Sequence, residues 1–336
     1  MTVEKHLIAV FGATGAQGGS VARSLLFNPN FRVRCITRNT ASTNAQELVK
    51  LGAEVVQAHG FKDEELLSAF SGCWAAFVNT NSEDPANRRK ELASTGRNDF
   101  DLGSNVVRCA ARAGVQHLVY SSAPSPAVLT NGAVTLQALD LKWRVEQVAL
   151  SEPFKTVTPI TAAWYMENWF HEGFSDLFGG FPTIPDSEGY LTYKIPPWGG
   201  KEDFPWISMT DDFGDLVHGV LLRPLRWNRR PIQGTSAIAS SEEVVRTFKS
   251  VTGKKARHIP LDDPNDMKTL GEHWREEERN EFFFTPIRDG EYFCNGPTEI
   301  ETSTALKKAA FEAKGRQGRE TLMTVAEFFR RGFVKE

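Results

Sequence analysis

Short apolar runs alternate with amphipathic segments through the first half of the chain. An apolar run bounded by turn residues is typical of a strand in a parallel sheet, which is buried on both faces. Apolar residues three and four positions apart are typical of a helix that packs on such a sheet. The predicted strands are 7–11, 31–37, 53–58, 73–80, 117–121 and 156–163. Their alternation with helices predicts right-handed crossovers and an α/β fold with a doubly wound parallel sheet.

Capping patterns indicate where several helices begin. In a capping box, the side chain of each residue binds the backbone N–H of the other. The pairs with this spacing are Thr43 with Gln46, Ser240 with Glu243, and Thr324 with Glu327. Further helices are predicted at 63–70, 87–113 and 136–150, the second with a break near Gly96.

The composition changes after residue 163. Residues 164–206 are rich in aromatic residues, glycine and proline, and they have little periodicity. Such a segment predicts loops and short helices around an apolar cleft rather than an independent domain. Because its aromatic residues exceed what a lobe needs to cover a bound molecule, we expect some of them to line a pocket for a bulky apolar molecule. A surface that binds a protein partner, or plain packing of the loops, is the alternative.

Charge and cysteine content exclude several classes of protein. The 336 residues carry a formal net charge of −3, which provides no attraction to nucleic acid or to an anionic membrane. Four widely spaced cysteines are typical of a reducing compartment, and no apolar stretch approaches the ~20 residues of a membrane span. Without a signal-peptide pattern, we expect a cytoplasmic or nuclear protein. No histidines have zinc-ligand spacing, and Asp211, Asp212 and Asp215 are expected to be acidic residues at a helix N-terminus, so no metal site is predicted.

Glycines are concentrated where the first predicted strand meets the first helix. Glycine weakens regular elements, so this concentration needs a physical reason. A strand, a glycine turn and a helix N-terminus together form an anion site, because the first N–H groups of the helix are unpaired. We expect Gly12 to turn the chain, Gly15 to let the backbone approach a pyrophosphate, and Gly18 to let the helix pack closely. The pattern predicts a dinucleotide site.

Four sequence blocks resemble a known family. GATGAQGGSVAR begins at Gly12, VRCITRN at Val33, GAEVVQ at Gly52 and DDFGDLV at Asp211. With these blocks and the spacing GxxGxxG, the chain resembles the NmrA-like branch of the atypical short-chain dehydrogenases/reductases, and the resemblance covers most of its length.

The resemblance implies an NAD(P)-binding Rossmann domain and a smaller, interleaved C-terminal lobe. The Rossmann domain is expected in residues 1–163, with its sheet completed by a return near 206–238, and the lobe in residues 164–336. The residues expected to bind the cofactor are Gly12, Thr14, Gly15, Ala16, Gln17, Gly18, Arg38, Asn79, Thr80, Asn81, Ser121, Lys142 and Asn168.

The end of the second strand indicates which cofactor is preferred. In folds that bind NAD, an acidic residue there holds the ribose 2′-hydroxyl. This chain instead has Arg38, whose planar guanidinium suits a phosphate. A solvated strand-end arginine is the alternative. The expected neighbouring lysine is absent, and His59 occupies a position where relatives have aspartate. We therefore predict NADP(H) with modest discrimination against NAD(H).

One residue of the usual catalytic set is missing. Typical short-chain reductases have a tyrosine four residues before a lysine, with a serine after the fifth strand. The resemblance places the lysine at Lys142, and the tyrosine position is Ala138. The candidates for catalysis are Lys142, Ser121 and Tyr165. Lys142 is equally consistent with a contact to the ribose alone.

Two functions follow from the resemblance. The first is a reductase that transfers hydride from NADPH to a bulky apolar or aromatic carbonyl, imine or enone, with a small molecule as its substrate. The second is a catalytically weak NADP(H) sensor that binds another protein, such as a transcription factor. A homodimer is compatible with both, whereas direct nucleic-acid or membrane binding is not expected.

Overall fold

A parallel sheet of seven strands lies at the centre of the computed structural model, which describes residues 5–81 and 96–334. The strands of the chain are β1 (His6–Phe11), β2 (Phe31–Thr37), β3 (Glu54–Gln57), β4 (Ala75–Val78), β5 (His117–Ser122), β6 (Thr156–Ala162), β7 (Trp164–Tyr165), β8 (Leu191–Ile195), β9 (Pro205–Ile207), β10 (Ile232–Gly234), β11 (Ala237–Ile238) and β12 (Ala256–Pro260). The order in the central sheet is β10-β6-β5-β4-β1-β2-β3. The predicted doubly wound α/β fold is confirmed.

Helices cover both faces of this sheet. They are α1 (Ala16–Leu26), α2 (Thr43–Lys50), α3 (Asp63–Phe70), α4 (Asp99–Arg112), α5 (Pro126–Leu129), α6 (Gln137–Ser151), α7 (Glu172–Leu177), α8 (Gly214–Leu222), α9 (Pro224–Trp227), α10 (Ser241–Thr252), α11 (His273–Ile287), α12 (Glu301–Ala313) and α13 (Val325–Phe333). Short 3₁₀ segments lie at Met166–Phe170 and Pro264–Asp266, and a π-helical turn lies at Met209–Phe213.

Alternating side chains of the strands divide the interior into two cores. In β1, Ile8 and Val10 join the core on one face, whereas Ala9 joins the core on the other. In β5, Val119 and Tyr120 divide in the same way. Because each strand buries both of its faces, the sequence shows continuous apolar runs instead of alternation.

Two of the three predicted capping boxes are confirmed. Ser240 with Glu243 opens α10, and Thr324 with Glu327 opens α13. The prediction for Thr43 is wrong, because Ser42 is the N-cap of α2 and accepts a hydrogen bond from Ala45 N. Sequence spacing alone cannot tell which of two neighbouring hydroxyl residues is the N-cap of a helix.

The predicted helix at 87–113 is shorter in its described part. Asn98 caps α4, which runs Asp99–Arg112, and Gly96 lies before it with a φ of +67°. Residues 87–95 of that prediction lie outside the described residues.

Carboxylates near the start of α8 form buried ion pairs. Asp215 lies 2.9 Å from Lys307 Nζ and 2.6 Å from Lys314 Nζ, and Asp212 lies 2.8 Å from Lys307 Nζ. Asp211 pairs with Arg331 instead. The expectation that these aspartates are acidic residues at a helix N-terminus is confirmed, since all three lie in the first turns of the π-helical segment and of α8. Their ion pairs also join this region to α12 and α13.

The second half of the chain adds small sheets to the central one. Strands β11, β9 and β7 form one sheet, and β12 pairs with β8. Of the helices within the described ranges, none is long and apolar enough to cross a membrane.

Candidate functional site

The glycine turn between β1 and α1 has no room for side chains. Gly12 has a φ of +78°, and a Cβ there would lie 3.0 Å from the carbonyl oxygen of Asn79. A Cβ on Gly18 would lie 2.3 Å from the carbonyl oxygen of Gly12. Gly15 is the N-cap of α1, and its N–H donates to Gly12 O at 3.0 Å. The close approach at Gly18 is thus to the turn itself, and it fixes the first N–H groups of α1 beside the end of β1.

A cleft of about 470 Å³ opens at the carboxyl ends of β1, β2 and β4. Most of the residues that the sequence assigned to a cofactor line it: Gly12, Thr14, Gly15, Ala16, Gln17, Arg38, Asn79, Thr80, Asn81 and Lys142. Tyr165, a catalytic candidate, also lines it. In an open α/β sheet, ligands bind at this edge.

Three of the assigned residues lie outside the lining of the cleft. Gly18 lies beneath the turn, where its missing side chain permits the packing described above. Ser121 is buried within β5. Asn168 lines a separate cavity of about 10 Å³ among aromatic rings.

Lys142 reaches the cleft from the second turn of α6. Its Nζ donates to Asn79 Oδ1 at 3.1 Å and to the carbonyl oxygen of Thr80 at 2.7 Å. Burial lowers the pKa of the Lys142 ammonium, and the charge of Asp99 partly offsets this effect. Asp99 itself accepts a hydrogen bond from the Thr80 hydroxyl at 2.7 Å. These contacts fix the amine at the end of β4.

Tyr165 also lines the cleft. Its hydroxyl accepts a hydrogen bond of 2.6 Å from Gln17 Nε2. Within the described chain, no acceptor takes the proton of this hydroxyl. Burial raises the pKa of the Tyr165 phenol, the Gln17 hydrogen bond opposes that rise, and the charges of Glu167 and Glu278 add to it. The phenol therefore carries its proton at neutral pH.

Ser122, the neighbour of Ser121, is bound to a carboxylate. Its hydroxyl donates to Glu146 Oε2 at 2.5 Å, and burial raises the pKa of Glu146. Glu146 lies one turn beyond Lys142 in α6, so the Ser122 hydroxyl binds a helix side chain instead of facing the cleft.

The expected aromatic pocket is filled. Trp198, Phe204 and Trp206 are at most 1% exposed. The ring centroids of Trp198 and Phe204 are 4.0 Å apart, and those of Phe204 and Trp206 are 4.6 Å apart. A cavity of about 10 Å³ beside these rings holds no more than a single water molecule. The expectation of an open apolar pocket is wrong for these rings, because they pack on one another.

The chain matches the profile of a known protein family over almost its whole length. Residues 4–329 match the profile of the NmrA-like family. The chain belongs to this family. The NmrA-like family domain-containing oxidoreductase himF of Aspergillus japonicus is 50% identical over 326 residues, covering 96% of this chain and 97% of that protein. The NmrA-like family domain-containing oxidoreductase hkm9 of Aspergillus hancockii is 45% identical over 335 residues. This match covers 99% of this chain and 98% of that protein.

Solved structures share the fold of this NmrA-like chain. NmrA, described as a negative transcriptional regulator in complex with NADP, gives a TM-score of 0.73 at 20% identity, covering 98% of this chain and 96% of that one. The triphenylmethane reductase of Citrobacter sp., complexed with NADP(H), gives a TM-score of 0.67 at 17% identity. The match covers 96% of this chain and 99% of that one.

The NmrA-like chain also has site features that the sequence patterns missed. Phe11, Gly60 and Leu102 line the cleft with His59, and a Cβ on Gly60 would lie 2.3 Å from Leu102 Cδ1. Within residues 5–81 and 96–334, no group of three or more metal-ligating side chains could hold an ion.

Proposed function

We propose that this chain is an NADPH-dependent reductase that acts on the carbonyl, imine or conjugated C=C bond of a small molecule. The observation that carries the proposal is the convergence of Lys142 and Tyr165 on the cleft beside the glycine turn. The names of the relatives himF and hkm9, both oxidoreductases, support the same class of reaction. The NADP bound to NmrA and to the Citrobacter reductase supports the cofactor.

The residues at the turn fit a dinucleotide. At Gly12 and Gly18 a Cβ would meet backbone, so the turn is built to bring main-chain N–H groups to the cleft surface. Those N–H groups and the N-terminus of α1 suit a pyrophosphate. Arg38 lines the cleft beyond the end of β2, where a 2′-phosphate suits its guanidinium. When bound, NADPH would supply a hydride.

Lys142 and Tyr165 have separate tasks in this proposal. Lys142, fixed by Asn79 and Thr80, would bind ribose hydroxyls and place a positive charge beside the reacting atoms. Tyr165 would orient the substrate through its available proton, while Gln17 fixes the phenol. Asp99 holds Thr80 and thereby maintains the lysine contacts.

Turnover tests the proposal directly. We would measure NADPH binding by fluorescence and NADPH oxidation by absorbance with a panel of aromatic ketones, imines and enones. Lys142→Met is expected to lower kcat/KM by about 100-fold, because it removes a fixed charge beside the reacting atoms. Lys155→Met, which changes an exposed lysine after α6, is the matched control.

The alternative of a cofactor-gated regulator makes a different prediction. A regulator would bind NADPH without oxidising it in the presence of any substrate, and its protein partners would change between NADPH and NADP⁺. The NmrA structure supports that alternative through its description as a transcriptional regulator. Failure to bind either nicotinamide cofactor at millimolar concentration would overturn both functions.

A further inference from the structure

The amine of Lys142 has one hydrogen bond left to give to a ligand. An ammonium group has three N–H donors, and two of them bind Asn79 Oδ1 at 3.1 Å and the carbonyl oxygen of Thr80 at 2.7 Å. Within the described residues, no acceptor takes the third N–H. Since Lys142 lines the cleft, this third donor is available to a bound molecule.

The positive charge of Lys142 has no counter-ion in the wall of the cleft. Among the described residues that line it, none is an aspartate or a glutamate. The other titratable residues of the lining are Arg38, His59 and Tyr165. Glu146, on the same helix as Lys142, accepts a hydrogen bond from the Ser122 hydroxyl instead. A carboxylate that stabilises the ammonium ion must therefore lie behind the lining.

Asp99 provides a carboxylate in that place. It is the first residue of α4 and is 7% exposed. Its Oδ2 accepts a hydrogen bond of 2.7 Å from the Thr80 hydroxyl. Its Oδ1 is buried and has no hydrogen-bond donor in the part of the chain that the structure describes. The negative charge of Asp99 is therefore not matched by a direct hydrogen bond from a cation.

Thr80 connects the two charged groups. Its carbonyl oxygen accepts a hydrogen bond from the ammonium of Lys142, and its hydroxyl donates one to the carboxylate of Asp99. Thr80 is buried, and hydrogen bonds to charged groups are stronger where water is excluded. Burial lowers the pKa of the Lys142 ammonium, and the charge of Asp99 opposes that fall. Both the position and the charge of the amine thus depend on the same two residues.

We propose, on the basis of the proposed reductase function, that Asp99 is a positioning residue that acts through Thr80 to hold Lys142 as an ammonium ion with one N–H donor for the ligand. Asp99 lies outside the lining of the cleft and touches no ligand itself. Lys142 is then a fixed cation that keeps its proton while the substrate is reduced. Of the two tasks that the sequence leaves open for Lys142, contact with the ribose and proton transfer, only the first fits this arrangement.

The first experiment measures the proton affinity of Lys142 and needs no turnover. Competitive labelling of the full chain with acetic anhydride from about pH 7 to 11, followed by mass spectrometry, gives the titration midpoint of this amine. Asp99→Asn keeps an acceptor for the Thr80 hydroxyl and removes only the charge. We expect it to lower the midpoint by about one pH unit, which corresponds to a tenfold change in proton affinity.

The matched control is Asp101→Asn. Asp101 lies two residues further along α4, and its carboxylate accepts a hydrogen bond from the N–H of Asn98 in the capping box. Its removal weakens the start of the same helix and leaves the contacts of Thr80 in place, so the midpoint of Lys142 should shift far less. Equal shifts in the two variants, or no shift in Asp99→Asn, would overturn the inference.

A stability measurement keeps the inference testable where Asp99→Asn unfolds easily. Asp99→Asn is compared in the wild-type chain and in Lys142→Met by urea unfolding. If Asp99 compensates the charge of Lys142, the two substitutions are non-additive, and Asp99→Asn costs less stability in the chain that has no cation to compensate. Equal losses in the two chains would show that Asp99 serves only the fold.

The last experiment uses turnover with any ketone, imine or enone that the protein reduces. Lys142→Arg keeps a positive charge that does not release its proton near neutral pH, whereas Lys142→Met has no charge. Lys142→Arg should retain at least about tenfold more kcat/KM than Lys142→Met, and NADPH titration establishes that both variants bind the cofactor. Equal losses would contradict the fixed cation and leave the reductase function intact. If the midpoint falls in Asp99→Asn while NADPH is never oxidised, the role of Asp99 stands and the proposed reductase function fails.

Discussion

Gln17 and Tyr165, which lie 148 positions apart in the sequence, are joined by a hydrogen bond of 2.6 Å from Gln17 Nε2 to Tyr165 Oη. This bond connects the first turn of α1 to β7 at the start of the second half of the chain. Because the phenol oxygen accepts this bond, the phenol proton remains available to a ligand in the cleft. The hydrogen bond therefore joins the start of α1, next to the glycine turn, to the segment that carries Tyr165.

Removing the Tyr165 hydroxyl should separate substrate binding from cofactor binding. In Tyr165→Phe we expect kcat/KM to fall by about 10- to 100-fold, because the substrate loses one hydrogen-bond donor, while the Kd of NADPH changes less than about twofold. Fluorescence titration and steady-state kinetics give the two values. Tyr190→Phe, on a half-buried tyrosine stacked under Arg257, is the control. An equal loss in both parameters would show that Tyr165 acts only by supporting the turn.

Two adjacent glycines of α1 should respond oppositely to alanine. In Gly18→Ala the new Cβ would meet the carbonyl of Gly12 at 2.3 Å, whereas in Gly19→Ala it would meet the movable Arg23 side chain at 2.9 Å. We expect Gly18→Ala to lose about 1–3 kcal/mol of unfolding free energy and to bind NADPH at least about tenfold more weakly. Gly19→Ala should be tolerated, since alanine gains up to about 1 kcal/mol of helix propensity. Urea unfolding and NADPH titration measure both effects, and equal behaviour of the two variants would contradict the packing argument.

Arg38 should determine the preference between the two nicotinamide cofactors. Arg38→Ala is expected to weaken NADPH binding by about tenfold and to leave NADH binding nearly unchanged, because only NADPH carries the 2′-phosphate. Arg32→Ala, on an exposed arginine within β2, is the control for net charge. The test is calorimetric titration of both cofactors at one salt concentration. A parallel loss of NADH affinity would mean that Arg38 does not contact the 2′-phosphate.

Glu281 should make the fold less stable as the pH rises. Burial raises the pKa of the Glu281 carboxyl from its ordinary 4.5 to about 8, with a further contribution from the charge of Glu277. Between these values the folded protein binds more protons than the unfolded chain, so the free energy of unfolding falls as the pH rises from about 5 to 8. Glutamine at this position keeps an acceptor for Trp164 Nε1 and cannot ionise.

The measurement for Glu281 is urea unfolding at pH 5 and pH 8. Glu281→Gln should be more stable than the wild type at pH 8 by on the order of 2–4 kcal/mol, with a smaller difference at pH 5. Glu276→Gln should show the pH dependence of the wild type. A variant whose stability declines as steeply as that of the wild type would show that Glu281 is ionised in the folded protein.

Sequence patterns predicted the fold closely, and they indicated which residues of the first strands and turns line the cleft. One stretch of the chain contains the strand that ends at Phe11, the glycine turn and Arg38 after β2. Because these features are close along the chain, local backbone preferences are enough to place them at the same edge of the sheet. The same reasoning failed at Thr43, where the neighbouring Ser42 is the better-placed cap. Ser121 and Asn168 lie outside the lining of the cleft, because strand ends and turns can direct a side chain either towards a cleft or away from it.

By itself the sequence determined the alternation of strands and helices, the two-sided burial of the sheet and the side-chain-free turn at Gly12 and Gly18. These features depend on backbone preferences and on apolar residues close along the chain. Only the tertiary structure decided that Gln17 meets Tyr165, that Lys142 reaches Asn79 and Thr80, and that the rings around Trp206 fill their own space. Such contacts join distant segments, and they depend on how whole elements pack, which no local pattern encodes.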